Sequence, residues 1–238
     1  MEASNLFYRD PALYDAVQED NSAAATCQAL IERHRPRAAT LADFGCGTGR
    51  DLAILAKRFE CVGVDLQPGL VEYAHRIRPA LDIRIGDMRT VRLQRCLDAM
   101  TCLGNSLAYI HENDDISAVF ATFAAHALPG ALLVLCSPVS PIIRPEATSA
   151  TVRTPTGSAQ VTISYEWDLR TQINTMHRHW ALPSGDDARD TVRRRVLFPR
   201  ELEHYASSAG FEVLDMLNGP PSATLTGPVA YTVARYAP

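Results

Sequence analysis

The stretch 41–50, LADFGCGTGR, constrains the fold of this chain more than any other part of the sequence. Apolar residues at its start are followed at once by glycines at positions 45, 47 and 49. Glycine is required where the backbone takes a positive φ or passes close to another group, so the pattern predicts a buried strand that runs into a tight turn. A second apolar run, CVGVD, follows and ends in a carboxylate at Asp65.

This order of elements is typical of the nucleoside-binding half of a Rossmann-like domain. In that half, a strand leads through a glycine turn into a helix, and a second strand follows that ends in an acid. Strands are predicted at 41–44, 61–65, 81–85, 97–103 and 131–136, with helices between them, the last of which reaches Ala127 and stops at Pro129 and Gly130. Such alternation favours a parallel, doubly wound sheet. Strands at 211–217 and 229–236 complete an α/β fold with a seven-stranded sheet, parallel except for one antiparallel strand.

The pattern changes after residue 136. Prolines between 138 and 155 predict a loop, and three β-rich runs follow at 161–168, 172–181 and 191–197. Turns between these runs would join them as an antiparallel meander. We therefore expect one domain over 1–238, in which residues 137–197 form a β-rich insertion that covers the site as a lid.

Composition excludes several classes of function. The net charge of −4 provides no basic surface for nucleic acid, and the hydrophobic fraction of 47% is that of a folded protein. No apolar run approaches roughly 18 residues, and no basic segment precedes an apolar one at the start. Six cysteines lack the spacing of a metal site. We expect a cytoplasmic protein without metal, membrane or nucleic-acid partner, and the sequence leaves a homodimer open.

The glycine turn narrows the choice of nucleotide. A Walker loop requires GxxxxGK followed by Ser or Thr, which the sequence lacks. The dinucleotide fingerprint GxGxxG fails because Arg50 occupies the third glycine position counted from Gly45. What is present is DxGxGxG, with Asp43 two residues before the first glycine. A carboxylate there disfavours a pyrophosphate and suits a cationic amino-acid moiety.

This motif, with Asp65 closing the second strand and Asp87 the third, resembles the class I S-adenosylmethionine-dependent methyltransferases over residues 40–136. The resemblance implies a methyltransferase domain that takes S-adenosyl-L-methionine as methyl donor and releases S-adenosyl-L-homocysteine. It implies that Asp43 lies near the donor's amino group, Gly45 and Gly47 near its methionine part, Asp65 at the ribose hydroxyls, and Asp87 and Met88 at the adenine. Leu66 and Leu103 complete the donor site expected from the resemblance.

Within that family, the run TCLGNSLAYI at 101–110 is similar to the glycine and sarcosine N-methyltransferases and to the N-methyltransferases of amino sugars. The tripeptide LYD also resembles that group, which implies that Tyr14 contacts the methionine carboxylate. The glycine enzymes carry Arg and Asn after the fifth strand, where this chain has Ser137 and Pro138, so glycine is not the expected acceptor. Their histidine after the fourth strand is replaced by Tyr109, with His111 two residues on.

The resemblance predicts methyl transfer to a small-molecule acceptor, foremost an amine nitrogen of a secondary metabolite or amino sugar. Transfer to oxygen or carbon of a natural product, and a noncatalytic donor-binding protein, are the alternatives. An amine must be unprotonated to attack, so candidate catalytic residues are His111, Tyr109 and His177, for each of which a structural role is the alternative. Arg193 and Arg195 would share one face of a strand and meet an acidic substrate, or else form a solvated edge.

Overall fold

The structure is a computed structural model that describes residues 5–17, 22–219 and 224–237. Its helices are α1 (Leu6–Arg9), α2 (Pro11–Val17), α3 (Ser22–His34), α4 (Arg50–Leu55), α5 (Pro68–Ile77), α6 (Asn113–Ala125) and α7 (Pro199–Ser208), with a 3₁₀ helix at Ser106–Tyr109. Its strands are β1 (Thr40–Phe44), β2 (Glu60–Asp65), β3 (Asp82–Ile85), β4 (Leu97–Cys102), β5 (Ala127–Pro138), β6 (Thr148–Thr154), β7 (Gly157–Asp168), β8 (Ile173–Ala181), β9 (Asp187–Arg195), β10 (Phe211–Leu217) and β11 (Val229–Tyr236). None of the described helices is both long and apolar enough to span a bilayer.

Seven strands form the main sheet in the order β10-β11-β5-β4-β1-β2-β3. β11 runs antiparallel to both of its neighbours, and the pairs among β1 to β5 are parallel. The predicted seven-stranded sheet with one antiparallel strand is therefore confirmed. The strand order reverses between β1 and β4, and ligands of open α/β sheets bind in the crevice at the carboxyl ends of strands at such a point.

Apolar side chains fill both faces of this sheet. α6 and α7 cover one face, where Phe44 of β1 meets Phe123 at a ring-centroid distance of 5.1 Å. α3, α4 and α5 cover the other face, where Leu41 of β1 joins Leu30 and Leu52 in a second buried cluster. β1 is thus buried on both faces, as continuous apolar strands of parallel sheets are.

Strand β5 begins earlier than the sequence predicts. Pro129 and Gly130 were expected to end the preceding helix, but α6 already ends at Ala125 and both residues lie in β5. The ladder between β4 and β5 is irregular here, because Leu97 pairs with Ala127 and Ala99 pairs with Leu132. The extra residues of β5 form a bulge, which accommodates a proline and a glycine that a regular central strand would not.

A second, antiparallel sheet has the order β6-β7-β8-β9. Three of its strands correspond to the predicted meander, although β9 starts at Asp187, ahead of the predicted 191. The prediction of a loop over 138–155 is wrong in part, because β6 occupies Thr148–Thr154. β6 is an edge strand with mostly exposed residues, so it lacks the apolar alternation that identifies a strand. The sequence also predicts a Gly- and Pro-rich loop over 218–228 between the last two strands, and residues 220–223 of that loop lie outside the described residues.

A buried ion pair fastens α1 to this second sheet. Arg178 of β8 and Asp190 of β9 are each 6% exposed and are hydrogen-bonded through the guanidinium Nε at 2.9 Å. Asp190 also accepts the backbone N–H of Leu6 at 2.7 Å and the indole N–H of Trp180 at 3.1 Å. Arg178 donates in addition to Asn5 at 2.8 Å. The beginning of α1 is therefore held against β8 and β9 by a satisfied polar cluster.

Candidate active site

The glycine turn after β1 is shaped by the chain that follows β4. Gly45 has a φ of +78°, and a Cβ placed on it would lie 2.5 Å from the Cβ of Ser106 and 3.2 Å from the terminal methyl of Met88. The hydroxyl of Ser106 donates to the carbonyl of Gly45 at 3.0 Å. Gly47 has a φ of +57°, and a Cβ there would lie 3.2 Å from the ring of Tyr14. Both positions thus require glycine for conformation and for space.

Alanine at Gly45 is expected to cost stability and donor affinity, and alanine at Gly104 is the matched control. Gly104 has a similar φ of +63° but no atom within 4 Å of an added Cβ. Backbone strain of about 1–2 kcal/mol applies to both variants. Overpacking against Ser106 adds about 1–3 kcal/mol at Gly45 alone. Urea denaturation and calorimetric donor binding measure both effects, and equal losses in the two variants would refute the packing argument.

Two buried carboxylates lie at the ends of β1 and β2. Asp43 is 2% exposed and accepts the hydroxyl of Thr101 at 2.7 Å, and its burial raises its pKa to about 8, with Asp51 and Asp65 adding to the rise. Asp65 accepts the backbone N–H of Gly47 at 2.7 Å and burial raises its pKa as well, although its hydrogen bonds oppose the shift. Buried acids that repel one another favour a cationic ligand.

The residues after β3 occupy the next position along the same edge. Asp87 is held by Arg89, which donates through Nε at 3.0 Å and Nη2 at 2.6 Å and lowers the pKa of the Asp87 carboxyl. Met88 lies against Gly45, as described above. Leu66 is 49% exposed beside Asp65, and Leu103 is buried at the end of β4. The structure therefore places the predicted donor-site residues other than Tyr14 along the carboxyl ends of β1 to β4.

Helix α2 covers the glycine turn. Its Tyr14 ring lies over Gly47, and burial raises the pKa of Tyr14. Asp15, the next residue, accepts a hydrogen bond from the hydroxyl of Thr48 and another from Arg78 at 2.8 Å. These contacts of Asp15 hold helix α2 in place, and α2 positions Tyr14 beside Gly47. The resemblance predicts the methionine part of the donor at the same place.

Tyr8 is a site residue that the sequence did not identify. Burial raises its pKa, and the neighbouring Tyr109 and Asp65 raise it further. Its ring centroid lies 6.3 Å from that of Tyr109. Tyr8 therefore lies between the carboxylate of the donor site and the 3₁₀ helix after β4. Asp65 and Tyr109, which lie near Tyr8 in the structure, are far from it in sequence. The only sequence signal for Tyr8 was the presence of two tyrosines, Tyr8 and Tyr14, before the first strand.

A cavity of about 50 Å³ lies at the carboxyl ends of β4 and β5, beneath β7, β8 and β9. It is lined by Asn105, Pro138, Ser140, Ile142, Tyr165, Asn174, Met176, Arg194, Val196, Pro228 and Val229. Two of its polar atoms, Oδ1 of Asn105 and Nε of Arg194, are buried without a hydrogen-bond partner among the described residues. Such a group costs about 1–3 kcal/mol, so both atoms are suited to bind a ligand.

The three candidate catalytic residues have different positions. Tyr109 lies between Tyr8 and Arg194, whose guanidinium carbon is 5.7 Å from the Tyr109 ring centroid. Tyr109 therefore lies at the boundary between the donor site and the cavity. His177 is on β8 one residue after Met176, and successive side chains of a strand point to opposite faces. The cavity is thus on the face of β8 away from His177, and its catalytic assignment stays a prediction without support from this placement.

His111 contacts β9, an edge strand of the four-stranded sheet. Its Nε2–H donates to the carbonyl of Arg193 at 3.2 Å, and burial lowers the pKa of its imidazole. The ring is therefore neutral at pH 7, and its Nδ1 has a free lone pair. Arg195 donates to the carbonyl of His111 at 2.7 Å and is occupied with structural contacts. Among the three adjacent arginines, the one that lines the cavity is Arg194. The sequence pattern had indicated Arg193 and Arg195 instead.

The chain is similar to known methyltransferases. A family model described as a methyltransferase domain matches residues 41–130. The chain is 31% identical over 224 residues to dTDP-3-amino-3,6-dideoxy-alpha-D-glucopyranose N,N-dimethyltransferase of Streptomyces fradiae, covering 87% of this chain and 86% of that protein.

Solved structures are similar over nearly the whole chain. CalS10, an amino pentose methyltransferase from Micromonospora echinaspora solved with bound S-adenosylmethionine, has a TM-score of 0.82 at 26% identity and covers 95% of this chain and 96% of its own. DesVI of Streptomyces venezuelae has a TM-score of 0.78 at 24% identity, with 96% and 94% covered, and supports the fold alone. The chain belongs to the S-adenosylmethionine-dependent methyltransferases, in the family of the amino-sugar N-methyltransferases.

Proposed function

We propose that this enzyme methylates the amine nitrogen of a nucleotide-linked amino sugar. The observation that carries this proposal is the lining of the cavity, which includes no histidine, aspartate or glutamate among the described residues. A hydroxyl acceptor benefits from a base within hydrogen-bonding reach, whereas a neutral amine attacks without one. The relative from Streptomyces fradiae, by its name, acts on a dTDP-linked amino sugar, which supports the same acceptor class here.

The donor is held by this chain's own acidic and glycine-rich edge. When bound, S-adenosylmethionine supplies an electrophilic methyl group on a sulfonium. Asp43 would neutralise its ammonium group, and the backbone at Gly45 and Gly47 leaves room for its methionine part. Each Asp65 oxygen already accepts one backbone N–H, from Gly47 or Gln67, and keeps lone pairs for the ribose hydroxyls. Tyr14 closes the site over the turn.

Catalysis would then depend on alignment. Holding two reactants in the productive geometry can supply about 7–11 kcal/mol, which removes the need for a dedicated acid or base. Tyr109 and Tyr8, at the boundary between the two sites, would position the acceptor nitrogen against the methyl group. The four-stranded sheet, within residues 137–197, excludes water from the cavity and sets the choice of acceptor through Tyr165, Asn174 and Met176.

Methyl transfer into matched acceptors tests the function. The probes are a dTDP-linked amino sugar, the same molecule with a hydroxyl in place of the amine, and the free amino sugar. We expect methylation of the amine and none of the hydroxyl analogue. Methylation of oxygen or carbon would overturn the assignment to nitrogen. Donor binding without turnover of any amine would overturn the assignment of an enzyme with this acceptor class.

Asp43 should make donor binding depend on pH. Its carboxyl, with a pKa of about 8, is mostly protonated below that pH in the free protein. The donor's ammonium favours the carboxylate, so binding releases a proton and donor affinity rises with pH, by up to about tenfold per unit. Calorimetry between about pH 5.5 and pH 7, where the ammonium itself stays charged, measures this rise. The rise should vanish in Asp43→Asn, and a flat wild-type profile would contradict the role.

A further inference from the structure

Asn105 presents a free carbonyl oxygen to the cavity from a fixed position. Its backbone takes a φ of +64°, which asparagine tolerates better than most residues. Its N–H donates to Cys136 at 3.1 Å and its carbonyl accepts from Ala108 at 3.1 Å, so both backbone groups are satisfied. The side-chain Oδ1 is buried and has no hydrogen-bond partner among the described residues. The backbone at Asn105 is therefore held by two hydrogen bonds while the acceptor atom of its side chain is left open.

Arg194 approaches the same cavity from the lid sheet. It pairs with Asn174 in the ladder between β8 and β9, and both side chains line the cavity. Its guanidinium carbon lies 5.7 Å from the centroid of the Tyr109 ring, and its Nε is buried without a hydrogen-bond partner among the described residues. A buried donor without a partner is available for an oxygen atom of a ligand.

We propose that Asn105 and Arg194 act as a pair that selects an uncharged amine carrying a nearby oxygen atom. The inference rests on the proposed function and names the residues that would read the acceptor. Oδ1 of Asn105 accepts an N–H of the amine, and the guanidinium of Arg194 donates to an oxygen of the same molecule. An amine bound in this way keeps its lone pair free. That lone pair forms the new N–C bond while the C–S bond breaks, its electrons stay on sulfur, and the ammonium product releases one proton to water.

The charge of the cavity explains why the amine binds unprotonated. Arg194 is cationic, and none of the described lining residues is a carboxylate, so an ammonium ion is repelled. The titratable group that faces Arg194 from β7 is Tyr165, and Tyr109 faces it from the 3₁₀ helix. His111 contacts the strand beside it in the neutral form, and β8 contributes only uncharged side chains to the lining.

The charged groups next to the cavity lining do not cancel the positive charge of Arg194. Arg195, the next residue, lies 3.6 Å from Glu201, and the two form an ion pair without net charge. The acids of the donor site are separated from the cavity by Tyr8 and Tyr109, and the net positive charge of the bound donor would offset part of their charge. The lining that surrounds the acceptor therefore carries the positive charge of Arg194.

Steady-state kinetics against pH test Arg194. In Arg194→Met, the apparent pKa seen in kcat for the bound amine should rise by about one unit, so that the rate at pH 7 falls about tenfold and recovers at higher pH. Arg194→Lys keeps the charge and should retain the profile with a raised KM. Arg189→Met, an exposed residue of the same strand, is the control and should change neither. An unchanged profile in Arg194→Met, with wild-type donor affinity as proof of folding, would overturn the pair.

Asn105→Asp tests the other member. A carboxylate of nearly the same shape would stabilise the ammonium form and should raise the apparent pKa in kcat, whereas Asn105→Ala should raise KM without that rise. An Asn105→Asp profile equal to wild type would refute the role of Asn105. KM values of Arg194→Lys for the free and the nucleotide-linked amino sugar identify which oxygen Arg194 binds. A raised KM for the linked sugar alone indicates a phosphate oxygen. A raised KM for both molecules indicates an oxygen of the sugar. Absence of amine methylation by the wild type would instead refute the proposed function.

Discussion

Replacing Asp190 with asparagine is expected to lower the free energy of unfolding by about 3–5 kcal/mol, because it leaves a buried guanidinium without its counter-charge. Asp190 accepts Arg178 Nε at 2.9 Å, the Trp180 indole at 3.1 Å and the Leu6 backbone at 2.7 Å, and an amide can satisfy only part of this set. Urea denaturation measures the loss. Tryptophan fluorescence is the direct probe, since Trp180 is one of 2 tryptophans in the chain and donates to Asp190.

Two further variants make this prediction specific. Asp187 begins the same strand, has a side chain 69% exposed and lies 3.5 Å from His179. Asp187→Asn should change stability by less than about 0.5 kcal/mol. The double variant Arg178→Met with Asp190→Leu removes both charges and should be less destabilised than Asp190→Asn. A loss in Asp190→Asn no larger than in Asp187→Asn would show that the ion pair does not anchor α1.

The same anchor connects the two sheets through the donor site. Asp190 holds the N-terminus of α1, and Asp15 holds α2 on Thr48 and Arg78. Tyr8 and Tyr14 lie between these fixed points and reach the ends of β1 and β2. Weakening the contact between Asp190 and α1 in Asp190→Asn should therefore reduce donor affinity as well as stability. This effect is expected even though Asp190 lies on β9, beside the cavity and away from the donor site.

The central part of the fold was predictable because its physics is local and periodic. Strands buried on both faces, such as 131–136, appear as continuous apolar runs, and glycines mark the turn after β1. β6 was missed because an exposed edge strand needs no apolar alternation. The start of β5 was misplaced because Pro129 and Gly130 ordinarily end a helix, and only the ladder with β4 shows that they form a bulge.

The site shows the same division. Asp43, Asp65 and the glycines between them belong to one short motif whose spacing determines their positions. The lining of the cavity depends on which side chains of β8 and β9 point toward it, and the strand register of the four-stranded sheet determines this. Alternation correctly placed Arg193 and Arg195 on one face, but Arg194, on the other face, lines the cavity. No local pattern in the sequence determines which face of a lid strand is turned inward.

Replacing Asp65 with alanine is expected to weaken donor binding by about 10²–10⁴-fold, with little loss of stability. Each charge-assisted hydrogen bond from a ribose hydroxyl contributes about 1.5–3 kcal/mol, and the geometry offers one to each hydroxyl. Asp65→Asn keeps one of the two acceptor oxygens and should be intermediate. Asp82→Ala, on the next strand and paired with Arg84, is the control that should leave donor affinity unchanged.

The stability readout separates binding from folding in this experiment. Burial raises the pKa of Asp65, so its carboxylate is held at a cost in the ligand-free protein at neutral pH. Removing that charge offsets the loss of the hydrogen bonds from Gly47 and Gln67, and the free energy of unfolding should change by less than about 1 kcal/mol. Calorimetry then attributes the affinity loss to the donor site at Asp65 and not to unfolding. An Asp65→Ala protein that binds the donor as tightly as Asp82→Ala would disprove the placement of the donor at the end of β2.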